Sequence, residues 1–391
     1  MKKLFIVLLV AFLLVQPEAE AAQLDRFFDN NDSSQPSQII WKLSGMGRLS
    51  GDIIFAPNGN LLLPLGKKVA CVNPAGKVLW EIKSRASLGS LMPTAYGSIF
   101  AACGAGVQET KLNGAAGWDF SVFADAKGLK SPLLASGPAN ILYLPLPDAL
   151  YAVDTVGHYA WMLSPWESSD GKASKVVVPR TFMACASDDD AFYVVYGEKS
   201  GKYKLAAINS RGEYLWKYWL GNINSAYLLP DGNGRLYASV NFKKSSGGQS
   251  KSKLNSAKIY CFNNKNGSSP LWEHSIKTSN ELTAPALSAD TVYATGSNKV
   301  WAFEAANGKS IWETPLLEVV SPPATGRDGR RIYAGSSENK LYALNNSGRM
   351  AWHRDLDSAV IRAPLAGPDD FIYVATQKGS IYKIIDNYNG S

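Results

Sequence analysis

The chain has 391 residues, of which 46% are hydrophobic, 11% aromatic and only 19% charged, with a formal net charge of +7. That mixture excludes a disordered chain, which is charge-rich and aromatic-poor, and a coiled coil, which needs Glu, Lys and Leu in heptads. Four cysteines in this length exclude a disulfide-stapled miniprotein. In chain order, the first element is an export address. Lys2 and Lys3 form a basic start, and Leu4 to Val15 is an unbroken apolar run of 12. A bilayer span needs ~20 residues, so residues 1–21 read as a signal peptide, with Ala19-Glu20-Ala21 as its cleavage site. Cleavage removes two positive and two negative charges and leaves the mature chain mildly basic. Export argues against nucleic acid as a partner. Residues 22–37 read as an N-terminal linker. No later segment approaches 18 apolar residues, so the mature chain is expected to be exported, periplasmic or extracellular, and soluble after cleavage.

The rest of the chain repeats. Trp41, Trp80, Trp118, Trp161, Trp216, Trp272, Trp312 and Trp352 are spaced by 39, 38, 43, 55, 56, 40 and 40 residues. Each ends a similar phrase, such as Cys71-Val72-Asn73 to Gly76 to Trp80, or Ala302-Phe303-Glu304 to Gly308 to Trp312. The phrase ending at Trp118 keeps mainly Gly114 and the Trp. Each phrase reads as strand, tight turn and strand, the turn supplied by Asp or Asn followed by Gly. Two further strands precede it. In the sixth repeat they are Leu282–Ala286 and Thr291–Thr295, in the seventh Val320–Ala324 and Arg331–Gly335. Four short strands per ~40 residues is the period of a propeller blade. After Trp352 only three strands remain, at Val360–Pro364, Phe371–Ala375 and Ser380–Ile385. An orphan strand, Gln38–Leu43 around Trp41, stands at the other end. Joining them predicts an all-β, eight-bladed β-propeller over residues 38–391, closed by an N-terminal strand that completes the last blade. A seven-bladed ring with ragged ends is the alternative count.

The pattern A-x-[DN]-x-x-G-x-x-x-W resembles the tryptophan-docking motif of quinoprotein-type (PQQ-like) β-propellers, over roughly residues 38 to 391. Within that family the chain is most similar to the BamB-like propellers of the outer-membrane β-barrel assembly machinery, although it lacks the signal cysteine that carries their lipid. The resemblance implies that the eight repeat tryptophans are structural, each packing on the small residue and Gly of the neighbouring motif. It also raises a pyrroloquinoline quinone cofactor with calcium. Quinone-dependent relatives are longer and carry adjacent cysteines, whereas Cys71, Cys103, Cys185 and Cys261 are far apart. Cys71 and Cys261 stand where other phrases have Ala152, Ala207, Ala302 and Ala343, so they read as small buried residues, not joined to each other. No cofactor is therefore expected.

No other catalytic constellation emerges. His158, His274 and His353 belong to different repeats, on or beside the terminal Trp strands, and cannot converge on a metal. Gly308-Lys309-Ser310 imitates the end of a P-loop but is a blade turn. Asp231-Gly232-Asn233-Gly234 imitates a calcium loop but lacks the distal Glu and reads as a hairpin turn, as does Asn58-Gly59-Asn60. The run Asp188-Asp189-Asp190 reads as solvated. What stands out are insertions: Pro165–Lys172 after blade three, Gly197–Lys202 in blade four and Lys243–Lys253 in blade five. In an antiparallel blade, second-to-third turns and blade-to-blade connections emerge on one face, so all three decorate the same side. They make Trp166, Lys243, Lys244, Lys251 and Lys253 candidate partner-binding residues. The expected function is a non-enzymatic, monomeric binding or scaffolding module for an envelope or extracellular protein, or for an anionic wall polymer. A PQQ-dependent oxidoreductase and a cell-wall glycan-binding propeller are the alternatives.

Overall fold

A computed structural model describes residues 23–26, 36–122, 133–137, 140–146, 149–163, 182–188, 191–197, 201–243 and 255–387. Its strands form eight sheets, seven of four strands and one of five, each ordered as a meander from the inner to the outer strand. This is the eight-bladed propeller. Blade one is Ile54–Phe55, Leu61–Leu65, Lys68–Val72 and Val78–Lys83. Blades two to seven repeat it and end on the strands of Trp118, Trp161, Trp216, Trp272, Trp312 and Trp352.

The eighth blade is built from both ends of the chain. Leu365–Ala366, Phe371–Ala375 and Ile381–Asp386 are joined by Ser37–Ser44, with Trp41 opposite Lys383 and Leu43 opposite Ile381. The seven-blade count is thereby excluded. The closing blade also carries a fifth strand, Gln23–Arg26, antiparallel to Ser37–Ser44. This amends the reading of residues 22–37 as linker. The pairing covers an outer edge that would otherwise offer unpaired N–H and C=O groups.

The inner strands differ from expectation too. They are Ala286–Ser288, Ala324–Thr325 and Leu365–Ala366, starting beyond the expected segments' Pro285, Pro322, Pro323 and Pro364. Proline has no N–H for the ladder, so pairing begins only after it.

Each blade has a transverse row of three side chains. In blades three to seven an aromatic on the second strand faces a small residue on the third, which faces the Trp on the fourth. Tyr193, Ala207 and Trp216 form one such row, and Tyr237, Cys261 and Trp272 another. The small middle residue lets the two rings approach across it, with centroids 6.2 Å apart for Tyr193 and Trp216. The Trp then reaches into the next blade. In seven of the rows its indole N–H donates to the backbone carbonyl directly after the motif's third residue, from Trp41 to Pro74 through Trp312 to Asn346, at 2.7–3.1 Å. The motif Asn or Asp holds that turn. Asn73, Asp154, Asn209 and Asn345 accept N–H groups two and four residues on, an Asx turn. Gly348, at φ 80°, supplies the left-handed residue and the floor on which Trp312 lies.

Candidate functional site on the insertion face

Second-to-third turns and blade-to-blade connections do leave on one face, as the meander requires. Of the candidate binding residues, Trp166, Lys244, Lys251 and Lys253 lie outside the described residues. Lys243 is described. It is exposed, its N–H donates to Asn222 O at 3.0 Å, and its ammonium lies 6.0 Å from the Tyr203 ring of the adjacent blade.

Among the described residues, blades four and five extend further toward this face than blades one, two, six and seven. The last strand of blade four, Tyr214–Gly221, has 8 residues, and the strands of blade five have 8 or 9, against 5 or 6 in the outer strands of blades one to three, six and seven. The extension carries Trp219, which is 52% exposed, with the Lys204 ammonium 4.3 Å above its ring. Alternation explains why it faces water. Trp216, Tyr218 and Leu220 turn toward blade five, so Leu215, Lys217 and Trp219 turn away from it. Sequence reasoning missed Trp219, Lys204 and Tyr203. The available signal was the second Trp, three residues beyond the docking Trp216, which no other phrase has.

Nearer the channel, the same face has a cavity of about 330 Å³ lined by Ser50, Asp52, Ser90 and Arg362 among others. Arg362 Nη1 stands 3.7 Å from Asp52 Oδ1. The Asp52 side chain is 58% exposed, with protein packed around its carboxyl. That burial pushes it above the ordinary carboxylate value against the pull of Arg362. Across the channel, Ser225 Oγ donates to Glu281 Oε2 at 2.6 Å, and Asn224 donates to the other carboxylate oxygen.

The remaining candidates resolve into structural roles. All four cysteines are free, and burial pushes the Cys71 and Cys261 thiols up to about 11. His158 sits 3.2 Å from Asp154 on its own turn, His274 packs on Phe303 and His353 lies beside Tyr342. Asp231 accepts the N–H groups of Asn233 and Arg235, as a hairpin turn requires. Asp188 corrects the solvated reading: its carboxylate accepts Tyr193 Oη at 2.8 Å and Ala191 N at 2.9 Å, tying a row Tyr to its turn. Asp189 and Asp190 lie outside the described residues. Among the described residues no three His, Cys, Asp or Glu side chains converge to hold a metal ion. No helix among the described residues is long and apolar enough to cross a membrane.

The ring of eight closed blades and its docking rows agree with a family model described as "Outer membrane protein assembly factor BamB", which matches residues 38–314 and 300–391. The chain belongs to that family. The crystal structure of BamB from Moraxella catarrhalis superposes with a TM-score of 0.62 at 14% identity, covering 91% of this chain and 99% of that one. The Dos1 propeller gives 0.61 at 11% identity, with 86% and 93% covered. The computationally designed Ika8 protein gives 0.59 at 14%, with 87% and 96% covered. At such identities these structures share the fold with the BamB-family chain. Protein Rv3035 of Mycobacterium tuberculosis is 36% identical over 103 residues, about a quarter of each chain.

Proposed function

We propose that this BamB-family propeller is an exported, non-catalytic docking module that works without a quinone and binds a cell-envelope protein on the insertion face of blades three to five. One observation carries the reading: among the described residues blades four and five are lengthened toward that face, and they present Trp219 under Lys204 on one side of the blade-four sheet and Tyr203 with Lys243 on its other side. A large, half-exposed aromatic among cations is the composition of an interface anchor with a charged rim. Membership in a family described by outer-membrane assembly supports an envelope protein as the partner. The cations steer an acidic partner, so association slows as salt rises, while the aromatic anchor governs dissociation.

The test is recovery of an envelope partner by three variants at physiological salt. Shortening the 243–254 segment or making Trp219→Ala is expected to reduce recovery severalfold without changing the melting temperature. An equal truncation of the opposite-face turn Asp231–Gly234 serves as the control. Full recovery by both insertion-face variants would place the binding surface elsewhere.

A further inference from the structure

A second site opens on the opposite face, between blades two and three. It is a cleft of about 810 Å³, within the range of small-molecule sites. Turns of both blades form its mouth, and Tyr96, Ser98, Glu109, Lys111, Trp118 and Asn140 line it. Its floor departs from the repeat. Glu109 occupies the middle position of the transverse row, where six other blades have Cys or Ala. It is only 4% exposed, and its carboxylate accepts Ser98 Oγ at 2.5 Å, the Lys111 ammonium and Trp118 N–H at 3.2 Å. Gly117 makes the room: a Cβ there would fall on the carboxyl group.

The other charged residue at this position is Lys383 in blade eight. It is consumed internally, by Asp369 at 2.7 Å, Pro74 O at 3.2 Å and the face of Phe371 at 4.0 Å. The Glu109–Lys111 pair instead fronts the cleft, with the lysine side chain 47% exposed. The pair is neutral overall, so an ionic ligand would have to break it and strand a buried charge. It presents a carboxylate acceptor beside an ammonium donor, which suits adjacent hydroxyls that both give and take hydrogen bonds. Tyr96, 86% exposed at the rim, and Trp118 in the wall add apolar ring surfaces. We infer that this cleft binds a neutral saccharide, one sugar ring lying against Tyr96 with vicinal hydroxyls on Glu109 and Lys111. The site is independent of the insertion face, and either can fail alone.

The full exported chain is titrated with maltotriose, cellotriose, triacetylchitotriose and galactobiose, by calorimetry and saturation-transfer NMR. At least one is expected to bind with a Kd of about 1 mM, the strength open to a ligand of this size. Tyr96→Ala, which leaves the melting temperature unchanged, should weaken it about tenfold or more, as should Glu109→Gln, while Trp219→Ala leaves it intact. Three results would overturn the assignment: no saccharide binding below about 10 mM, binding indifferent to both cleft variants, or a cleft filled only by free lysine or glutamate added as charged competitors.

Discussion

The smallest unit of this molecule is a tryptophan lying on a glycine. A Cβ added to Gly348 would stand 2.6 Å from Trp312 Cδ2, and the residue already holds φ 80°. Gly348→Ala therefore combines left-handed backbone strain with a ring collision, and should cost about 2 kcal/mol or more in denaturant unfolding. Adding Trp312→Ala should return roughly 1 kcal/mol of that as a coupling term, because the collision disappears while the strain remains. Strict additivity would show that the ring is not what the glycine accommodates. Trp216, 6% exposed and stacked 5.8 Å from Phe262, should lose about 3–5 kcal/mol as Trp216→Ala. The buried thiols allow a chemical check of the same packing. Cys71 and Cys261, pushed up to about 11, stay protonated at neutral pH and should react with iodoacetamide only after unfolding. Rapid native labelling of either would contradict their place in the rows.

At the scale of elements, the closing blade carries the greatest burden, because no turn links Ile381–Asp386 to Ser37–Ser44. Side chains take the place of that turn. Trp352, which finds no turn carbonyl to dock on, donates to Asp386 Oδ1 at 3.0 Å, and Arg331 and Tyr333 hold Oδ2 at 3.0 and 2.8 Å. Asp357 ties Lys42 of the N-terminal strand at 3.1 Å to Thr376 at 2.8 Å and Ser380 at 2.5 Å. Burial pushes the Asp357 carboxyl up, but its hydrogen bonds from Ser380, Thr376 and Lys42 outweigh this and hold it below the ordinary range. Asp369 is held low in the same way by Lys383 and Tyr373. A depressed folded pKa contributes stability that is full above the unfolded value of about 4 and is lost as pH falls through the folded one. The melting temperature should therefore drop below about pH 4, and Asp357→Asn should flatten part of that fall while lowering stability at neutral pH. An identical acid profile in the variant would remove Asp357 from the closure. Deleting residues 22–45 takes away both N-terminal strands and should give a large loss of melting temperature with aggregation through the bared edge.

For the whole molecule, the ring separates two kinds of surface. Lengthened strands project from one face over blades four and five, and the cleft of Glu109 and Lys111 opens on the other. The two are fixed by different departures from the repeat: extra length in the first, an altered row residue in the second. Neither departure disturbs the docking contacts, which is why one scaffold can carry both. Tryptophan spacing made the blades, their number and the closing strand legible, since a period of about 40 residues leaves one orphan strand at one end and a blade short of one strand at the other, and pairing the two completes the ring.

Local patterning by itself determined the fold, the turns and the burial of Cys71 and Cys261, because each depends on residues within one repeat and its periodicity. It also marked the face of the insertions, since strand alternation dictates where connections emerge. Tertiary structure alone decided the rest. The solvated reading of Asp188 failed because its partner, Tyr193, is reached across a hairpin. Gln23–Arg26 became a strand because Ser37–Ser44 offered it an edge. The Trp219–Lys204 platform depends on how far two neighbouring blades extend. The Glu109 cleft depends on a cavity between blades that share no local sequence, and such a space exists only once the ring has closed around it.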